Sequence, residues 1–321
     1  MILTVTINPL LEQRFTYKNG IAGDKIRDGK INVVSAGKGI NVSRQLNKLK
    51  THNAALTFSG GTYGKLFREC VRNEGLNVSF VHTKAETRIC SVIIDEENKK
   101  TDYYFSENSR ITEDEVGKFI TQMEKMIKNC ELVVFSGSSP CNETDIIFPT
   151  GIEFANRYYK ISICDTYGSH LGNCISSAPH IIHNNMEEVT SSLNIKIQDE
   201  NDIIKHLDYL YKNGVKQAYL TNGAKNYYAS NLDFHYKVTV PKIGAVDSTG
   251  SGDALAAGIA YSWHNNLTFE NQTKLATALG TVNATKFNVC NVSPDEANEI
   301  LESVKVEPLG KKMKIINDTP D

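Results

Sequence analysis

Residues 247–258 read DSTGSGDALAAG: Gly250 and Gly252 flank Ser251, Asp253 follows at once, and small residues continue the segment. Glycine reaches backbone conformations closed to other residues, and the alanine-rich run after Asp253 favours helix, so the glycines belong at a helix N-terminus. Unpaired N–H groups and the helix dipole make that end an anion site, and Gly250, Ser251 and Gly252 are small enough to let a phosphoryl group come close. Asp253 then has two readings. A lone Asp there caps the helix; beside a held phosphoryl group its carboxylate accepts the proton of an attacking hydroxyl, as the base of a kinase does. GxxxxGK[ST] is absent and GSGD lacks the third glycine of a dinucleotide fingerprint, so neither a P-loop nor a Rossmann cofactor site is expected.

Such a site must be held by regular elements, and the rest of the chain supplies them. ILTVTI (2–7), AALTFSGG (54–61), ELVVFSGS (131–138), YKISICD (159–165), HIIHN (180–184) and KQAYLTNG (216–223) read as strands. Helical spacing appears in 39–50, 65–75, 113–129 and 201–214, with a strand pair at 229–240, then the glycine loop with its helix and two more helical segments. The alternation implies a mostly parallel sheet covered on both faces. Ligands bind such sheets at the carboxyl ends of the strands. SGG, SGS, Asp165, Asn184-Asn185 and TNG all fall at those ends. Each alone is an ordinary turn; together they point to one site. Polar, glycine-punctuated residues 10–35 and the hairpin TRICSVIID with TDYYFS, within 85–107, read as exposed strands of a small appendage.

Composition narrows the classes. The chain has 321 residues, 40% of them hydrophobic and 22% charged, and a formal net charge of −2. No basic surplus points to nucleic acid or an anionic membrane. No apolar run approaches the ~20 residues that span a bilayer, and the start has no signal leader, so a cytoplasmic protein is expected. Seven cysteines, none spaced as CxxC, read as reduced thiols without zinc.

DSTGSGDALAAG resembles the second signature of the ribokinase-like (PfkB family) sugar kinases, and SAGKGINVSRQL (35–46) resembles their first, with Ala36 in place of a glycine. SGG, SGS, the pair Asn185 and Glu188, and TNG follow in the family's order, so the resemblance runs from the first strand to about residue 295. It implies a single kinase domain over 1–321, with a ribokinase-like three-layer α/β/α fold and a mostly parallel central sheet. Residues 10–35 and 85–107 would form a small β-sheet lid that pairs with a second subunit in a homodimer. It also implies ATP and Mg²⁺. Asp253 would be the base and Gly250, Ser251 and Gly252 the anion hole. Asn185 and Glu188 would organise Mg²⁺, Thr221, Asn222 and Gly223 would lie along the ATP phosphates and ribose, and Asn283 would line the adenine pocket.

TINPLLE, AGKGIN and ETRIC are similar to features of the branch acting on phosphorylated ketohexoses. A phosphorylated acceptor needs fixed cations, for which Lys38 and Arg88 stand first and Arg27 second. Gly37, Gly39 and Ser138 would complete the sugar site. Asn41 and Glu12, which stands where the family has Asp, would hold the sugar hydroxyls. HNNMEE in place of KPNxxE, Asn226 in place of a glycine and FSENS in place of an NEPGP-like stretch depart from the pattern. The expected reaction is phosphorylation of fructose 1-phosphate to fructose 1,6-bisphosphate. Tagatose 6-phosphate and fructose 6-phosphate are the alternative acceptors, and a non-catalytic regulator that binds sugar phosphate and nucleotide is the rival class.

Overall fold

The computed structural model describes residues 1–18, 21 and 26–309. Its first third runs β1 (Ile2–Thr6), β2 (Leu10–Tyr17), β3 (Lys30–Ala36), α1 (Lys38–Lys48), β4 (Asn53–Gly60), α2 (Gly61–Asn73), β5 (Val78–Thr83), β6 (Arg88–Asp95) and β7 (Lys100–Phe105). The middle holds α3 (Glu113–Lys128), β8 (Leu132–Ser136), α4 (Ile147–Arg157), β9 (Ile161–Asp165), α5 (Leu171–Ser176), β10 (Ile181–Asn185), α6 (Met186–Leu193) and α7 (Glu200–Lys212). β11 (Gln217–Asn222), β12 (Lys225–Asn231), β13 (Phe234–Thr239), α8 (Ser251–His264), α9 (Phe269–Asn283), α10 (Pro294–Leu301) and β14 (Lys305–Leu309) complete it.

Ten strands form one sheet in the order β14-β13-β12-β11-β10-β9-β8-β1-β4-β5. Neighbours from β5 to β11 are parallel, and those from β11 to β14 are antiparallel. The carboxyl ends of the parallel strands therefore line one edge. Alternate side chains point to opposite faces of a strand. Leu3, Val5, Val133 and Phe135 join Phe119 and Met123 of α3 and Phe148 of α4 on one side. Ile2, Leu132 and Val134 join Val42 and Leu46 of α1 and Ile259 of α8 on the other. Two covered faces explain why every residue of β1 and β8 is buried, and give the three-layer α/β/α arrangement read from the alternation.

β3-β2-β6-β7 form a second sheet, with β2 and β6 parallel at its centre. It unites the two segments read as one appendage, of which residues 19–20 and 22–25 lie outside the described residues. Its inner face packs Leu10, Cys90 and Val92 with Tyr103 and Phe287, whereas Ile31, Val33 and Tyr104 on the outer face are exposed. All seven cysteines are free thiols. No helix among the described residues is long and apolar enough to cross a membrane.

Candidate active site

Gly250 caps α8 with φ 76°, a left-handed conformation that favours glycine, and a Cβ there would collide with Val289. Asn283 supports the same loop. Its amide donates to the Thr249 carbonyl at 2.8 Å and Ser251 Oγ at 3.3 Å and accepts from Cys290 N–H at 2.7 Å. It is fully buried, so it holds the glycine loop from within and does not present its amide to a base, as expected of an adenine-lining residue. Ser251 N–H donates to the Ser248 carbonyl at 3.1 Å. That leaves the N–H groups of Gly250, Gly252 and Asp253 as those at the helix end for which no backbone acceptor is seen among the described residues.

Asp253 is 5% exposed and accepts a hydrogen bond on Oδ2 from Asn41 Nδ2 at 2.8 Å. Burial pushes its carboxyl up to about 6, with Asp165 and Glu188 adding to the rise and Lys38 and the Asn41 donor opposing it. Burial disfavours the ionised form. A carboxylate tuned to that range takes up protons near neutral pH, as a general base must.

Gly37 (φ 125°) turns the chain from β3 into α1, and α1 approaches β1 so closely at Gly39 that a Cβ there would press on the Val5 carbonyl. The turn places Lys38 over the carboxyl ends of β9 and β10. Lys38 Nζ lies 2.9 Å from Asp165 Oδ1 and 3.3 Å from Glu188 Oε1. Burial lowers its pKa, but Asp165, Glu188 and Asp253 outweigh burial and hold it well above the ordinary lysine value. Asp165 is fully buried and takes further hydrogen bonds from Ser136 Oγ at 2.7 Å and His183 Nδ1 at 3.0 Å. Burial raises its pKa, yet Lys38 and His183 keep it well below the usual carboxylate range. His183 Nε2 is 3.2 Å from Thr221 Oγ1, at the end of β11, while Asn222 and Gly223 turn outward toward β12. Asn185 and Glu188 form the capping box of α6, which fixes the Glu188 carboxylate toward Lys38.

Arg88 sits apart from this cluster. Its Nη1 donates to Asn108 Oδ1 at 3.1 Å and its Nη2 to the Asn8 carbonyl at 3.2 Å. Asn8 Nδ2 donates to both Asn108 Oδ1 and Ser138 Oγ at 3.1 Å. Arg88 Nε is buried without a partner. Lys38 Nζ stands 5.5 Å from the Tyr167 ring, and Tyr167 also acts on the charge of Arg88. Glu12 and Arg14, side by side on one face of β2, pair at 2.8 Å, and Arg14 Nη1 donates to the Phe287 carbonyl at 2.5 Å. Tyr103 of β7 bonds Asp247 at 2.8 Å and Thr249 at 2.6 Å. Arg27 is exposed.

Residues 11–296 match the pfkB family of carbohydrate kinases. The chain belongs to that family. Tagatose-6-phosphate kinase of Staphylococcus epidermidis is 27% identical over 312 residues, covering 95% of this chain and 99% of the relative. 1-Phosphofructokinase of Borreliella burgdorferi is 27% identical over 310 residues, covering 96% and 99%. Among solved structures, a "possible 1-phosphofructokinase" of Thermotoga maritima superposes with a TM-score of 0.88 at 22% identity, covering 97% of this chain and 100% of its own. Phosphofructokinase-2 of Escherichia coli gives 0.85 at 20% identity, covering 94% and 98%. This pfkB-family protein is thus an ATP-dependent phosphotransferase acting on a carbohydrate, built on the ribokinase-like fold.

The structure gathers Lys38, Asn41, Asn185, Glu188, Thr221 and the Gly250–Asp253 loop around one edge of the sheet, with Arg88 and Ser138 in an adjoining cluster. It adds Asn8, Arg14, Arg44, Tyr103, Asn108 and His183, and gives Asp165, read only as a strand-end polar residue, a partner in Lys38. Of these, Arg14 was within reach, since residues two apart on a strand share a face with Glu12. Asn108 and Asn8 come together only through the fold.

Proposed function

We propose that this kinase transfers the γ-phosphoryl of ATP to a hydroxyl of a ketohexose phosphate, fructose 1-phosphate before tagatose 6-phosphate or fructose 6-phosphate. The observation that carries the acceptor class is Arg88, whose buried Nε has no partner amid the side chains of Asn8, Asn108 and Ser138. Burying a guanidinium donor without an acceptor is unfavourable. A phosphate oxygen satisfies it with a charge-assisted bond and also answers the guanidinium charge, which a neutral sugar hydroxyl does not. The two curated relatives, whose names specify a tagatose phosphate and a fructose phosphate activity, support the same class.

In this reading the acceptor hydroxyl donates to Asp253 Oδ1, since Oδ2 is held by Asn41. As the oxygen attacks the γ-phosphorus in line, its proton passes to Asp253 and the bond from the γ-phosphorus to the bridging oxygen breaks, so that ADP leaves on the opposite side. Negative charge gathering on the transferred group meets the N–H groups of Gly252 and the α8 terminus and the Lys38 ammonium. Thr221, Asn222 and Gly223 flank the nucleotide phosphates. Three carboxylates, Asp165, Glu188 and Asp253, face the single Lys38 ammonium, a donor set that suits a further cation. No group of three or more His, Cys, Asp or Glu among the described residues is placed to hold a metal by itself. Mg²⁺, which keeps several waters and shares ligands with phosphates, would be held near Glu188 and Asn185 and neutralise phosphate charge.

The chain acts as one kinase domain in the cytoplasm, a setting suited to its seven free thiols. Its small sheet serves as the lid over the sugar, and the exposed outer face of that sheet joins two subunits as a homodimer. Steady-state ADP release with fructose 1-phosphate, tagatose 6-phosphate, fructose 6-phosphate and ribose tests the proposal. Higher kcat/KM for ribose than for all three phosphates would sink the acceptor assignment, and no ADP release with any of them would favour the non-catalytic regulator.

A further inference from the structure

Asn41 presents an amide, one end a donor and the other an acceptor, to the proposed base. Nothing in an isolated Asn–Asp contact forbids the amide from turning over. Arg44, one helical turn along α1, donates from Nη1 to Asn41 Oδ1 at 2.7 Å. Arginine has donors only, so the end of Asn41 that meets it must be the oxygen. Nδ2 is then the end that meets Asp253 Oδ2 at 2.8 Å. In the flipped arrangement an amide oxygen would face a carboxylate oxygen and an NH₂ would face a guanidinium, two mismatches in place of two hydrogen bonds. Arg44 is itself fixed, with Nε on Glu74 Oε2 and Nη2 on the Ser35 carbonyl, both at 2.5 Å. Ser35 Oγ closes the ring on Glu74 Oε1 at 2.7 Å.

We infer that Arg44 is a positioning residue for phosphoryl transfer: locked by Glu74 and Ser35, it selects the Asn41 orientation that caps one oxygen of Asp253 and leaves the other to the incoming hydroxyl. The inference rests on the assignment of Asp253 as base. It gives Asn41 a task beyond gripping sugar hydroxyls, and it ties the base to β3, the strand of the small sheet that carries Ser35. A purely structural tie between α1, α2 and β3 would use the same bonds, so the test must read Asp253 itself. The other ionisable groups acting on Asp253 are Lys38 of α1, Asp165 of β9, Glu188 of α6 and Cys290 after α9; of these, Arg44 acts only on Cys290, so a Cys290→Ser background separates that path from the one through Asn41.

Arg44→Met is expected to lower kcat at least tenfold with KM for ATP within twofold. The acidic limb of the kcat/KM profile should move to higher pH, because Asp253 loses a donor that favours its ionised form. In an Asn41→Leu background the same substitution should add little, because the residue it acts through is gone. Arg44→Lys, which keeps a cation beside Glu74, should fall between the two and serves if Arg44→Met does not fold. Equal losses in both backgrounds, or an unmoved acidic limb, overturn the inference. Titration of ¹³C-carboxyl-labelled aspartate, with Asp253 assigned through Asp253→Asn, gives a readout that needs no turnover. An Asp253 midpoint that rises in Arg44→Met upholds the positioning role even if no sugar phosphate is phosphorylated, and an unchanged midpoint refutes it.

Discussion

Asp253 joins chemistry to stability. With its carboxyl raised to about 6 by burial, turnover should fall about tenfold per pH unit below that value, as the base becomes protonated. The same shift sets the sign of its effect on folding. A carboxyl whose folded pKa lies above its unfolded value favours the native state at low pH and loses that contribution as pH rises through the folded value. Asp253→Asn, which cannot ionise, should therefore abolish turnover and yet stabilise the protein above pH 6 by about 2–3 kcal/mol relative to wild type, given the rise to about 6. Urea unfolding at pH 4 and pH 8 checks it; a variant less stable than wild type at pH 8 contradicts the burial argument.

Arg88 and Lys38, paired as acceptor cations in the sequence reading, separate on inspection. Arg88→Leu should raise KM for the sugar phosphate about 10- to 100-fold, the worth of a charged hydrogen bond, with KM for ATP little changed. Lys38→Met should instead destabilise the fold by about 3–5 kcal/mol, because it strips the cation from buried Asp165. Comparing sugar and ATP kinetics with melting curves for the two variants separates the roles. Asp253 and the glycines were legible because local spacing alone fixes a helix terminus. Asp165 was read as one of the strand-end residues of the site, but its meeting with His183 was not, since only parallel pairing of β9, β10 and β11 brings the two to Lys38 and Thr221.

At the scale of elements, α8 and α9 meet where Gly258 faces Ala276, and a Cβ on Gly258 would stand 2.6 Å from the Ala276 Cα. A backbone atom cannot swing aside as a side-chain end can. Gly258→Val should force the helices apart and destabilise the protein by about 1–3 kcal/mol or more, which thermal unfolding measures, and loosen the glycine loop at the start of α8. Helices with terminal signals were easy to read: Thr112 with Glu115 and Ser293 with Glu296 form capping boxes at α3 and α10. α4 was not read from the sequence, and it carries two residues that disfavour a helix interior, Pro149 and Gly151. Pro149 lies in the first turn, where its missing N–H is harmless, and Gly151 lets the helix settle on the Phe135 ring. β14 contains Pro308, which argues against a strand, yet it is an edge strand paired only with β13, where proline is tolerated. β5 is the opposite edge strand, short and half exposed, and left little apolar pattern to read.

For the molecule as a whole, the pairing of two distant segments into one small sheet was legible from their exposed-strand character, whereas its inner and outer faces emerged only from the register. On the outer face Ile31 is 60% and Tyr104 63% exposed, too apolar a surface to leave uncovered. If that face joins two subunits as proposed, Ile31→Lys together with Tyr104→Lys should convert the dimer to monomer in sedimentation velocity while the large sheet stays folded. A wild type that sediments as a monomer would remove the reason for that face.

The inner face bears on timing. Tyr103 grips Asp247 and Thr249, and Arg14 grips the Phe287 carbonyl, on segments that also brace Gly250. If the small sheet must lift to let the acceptor in or the phosphorylated product out, those clasps release and remake in every cycle, tugging on the loop that cradled the phosphoryl group. Departure of product and relaxation of the cradle then become a single event, and kcat should slow in a viscous solvent even when the bond-making step does not.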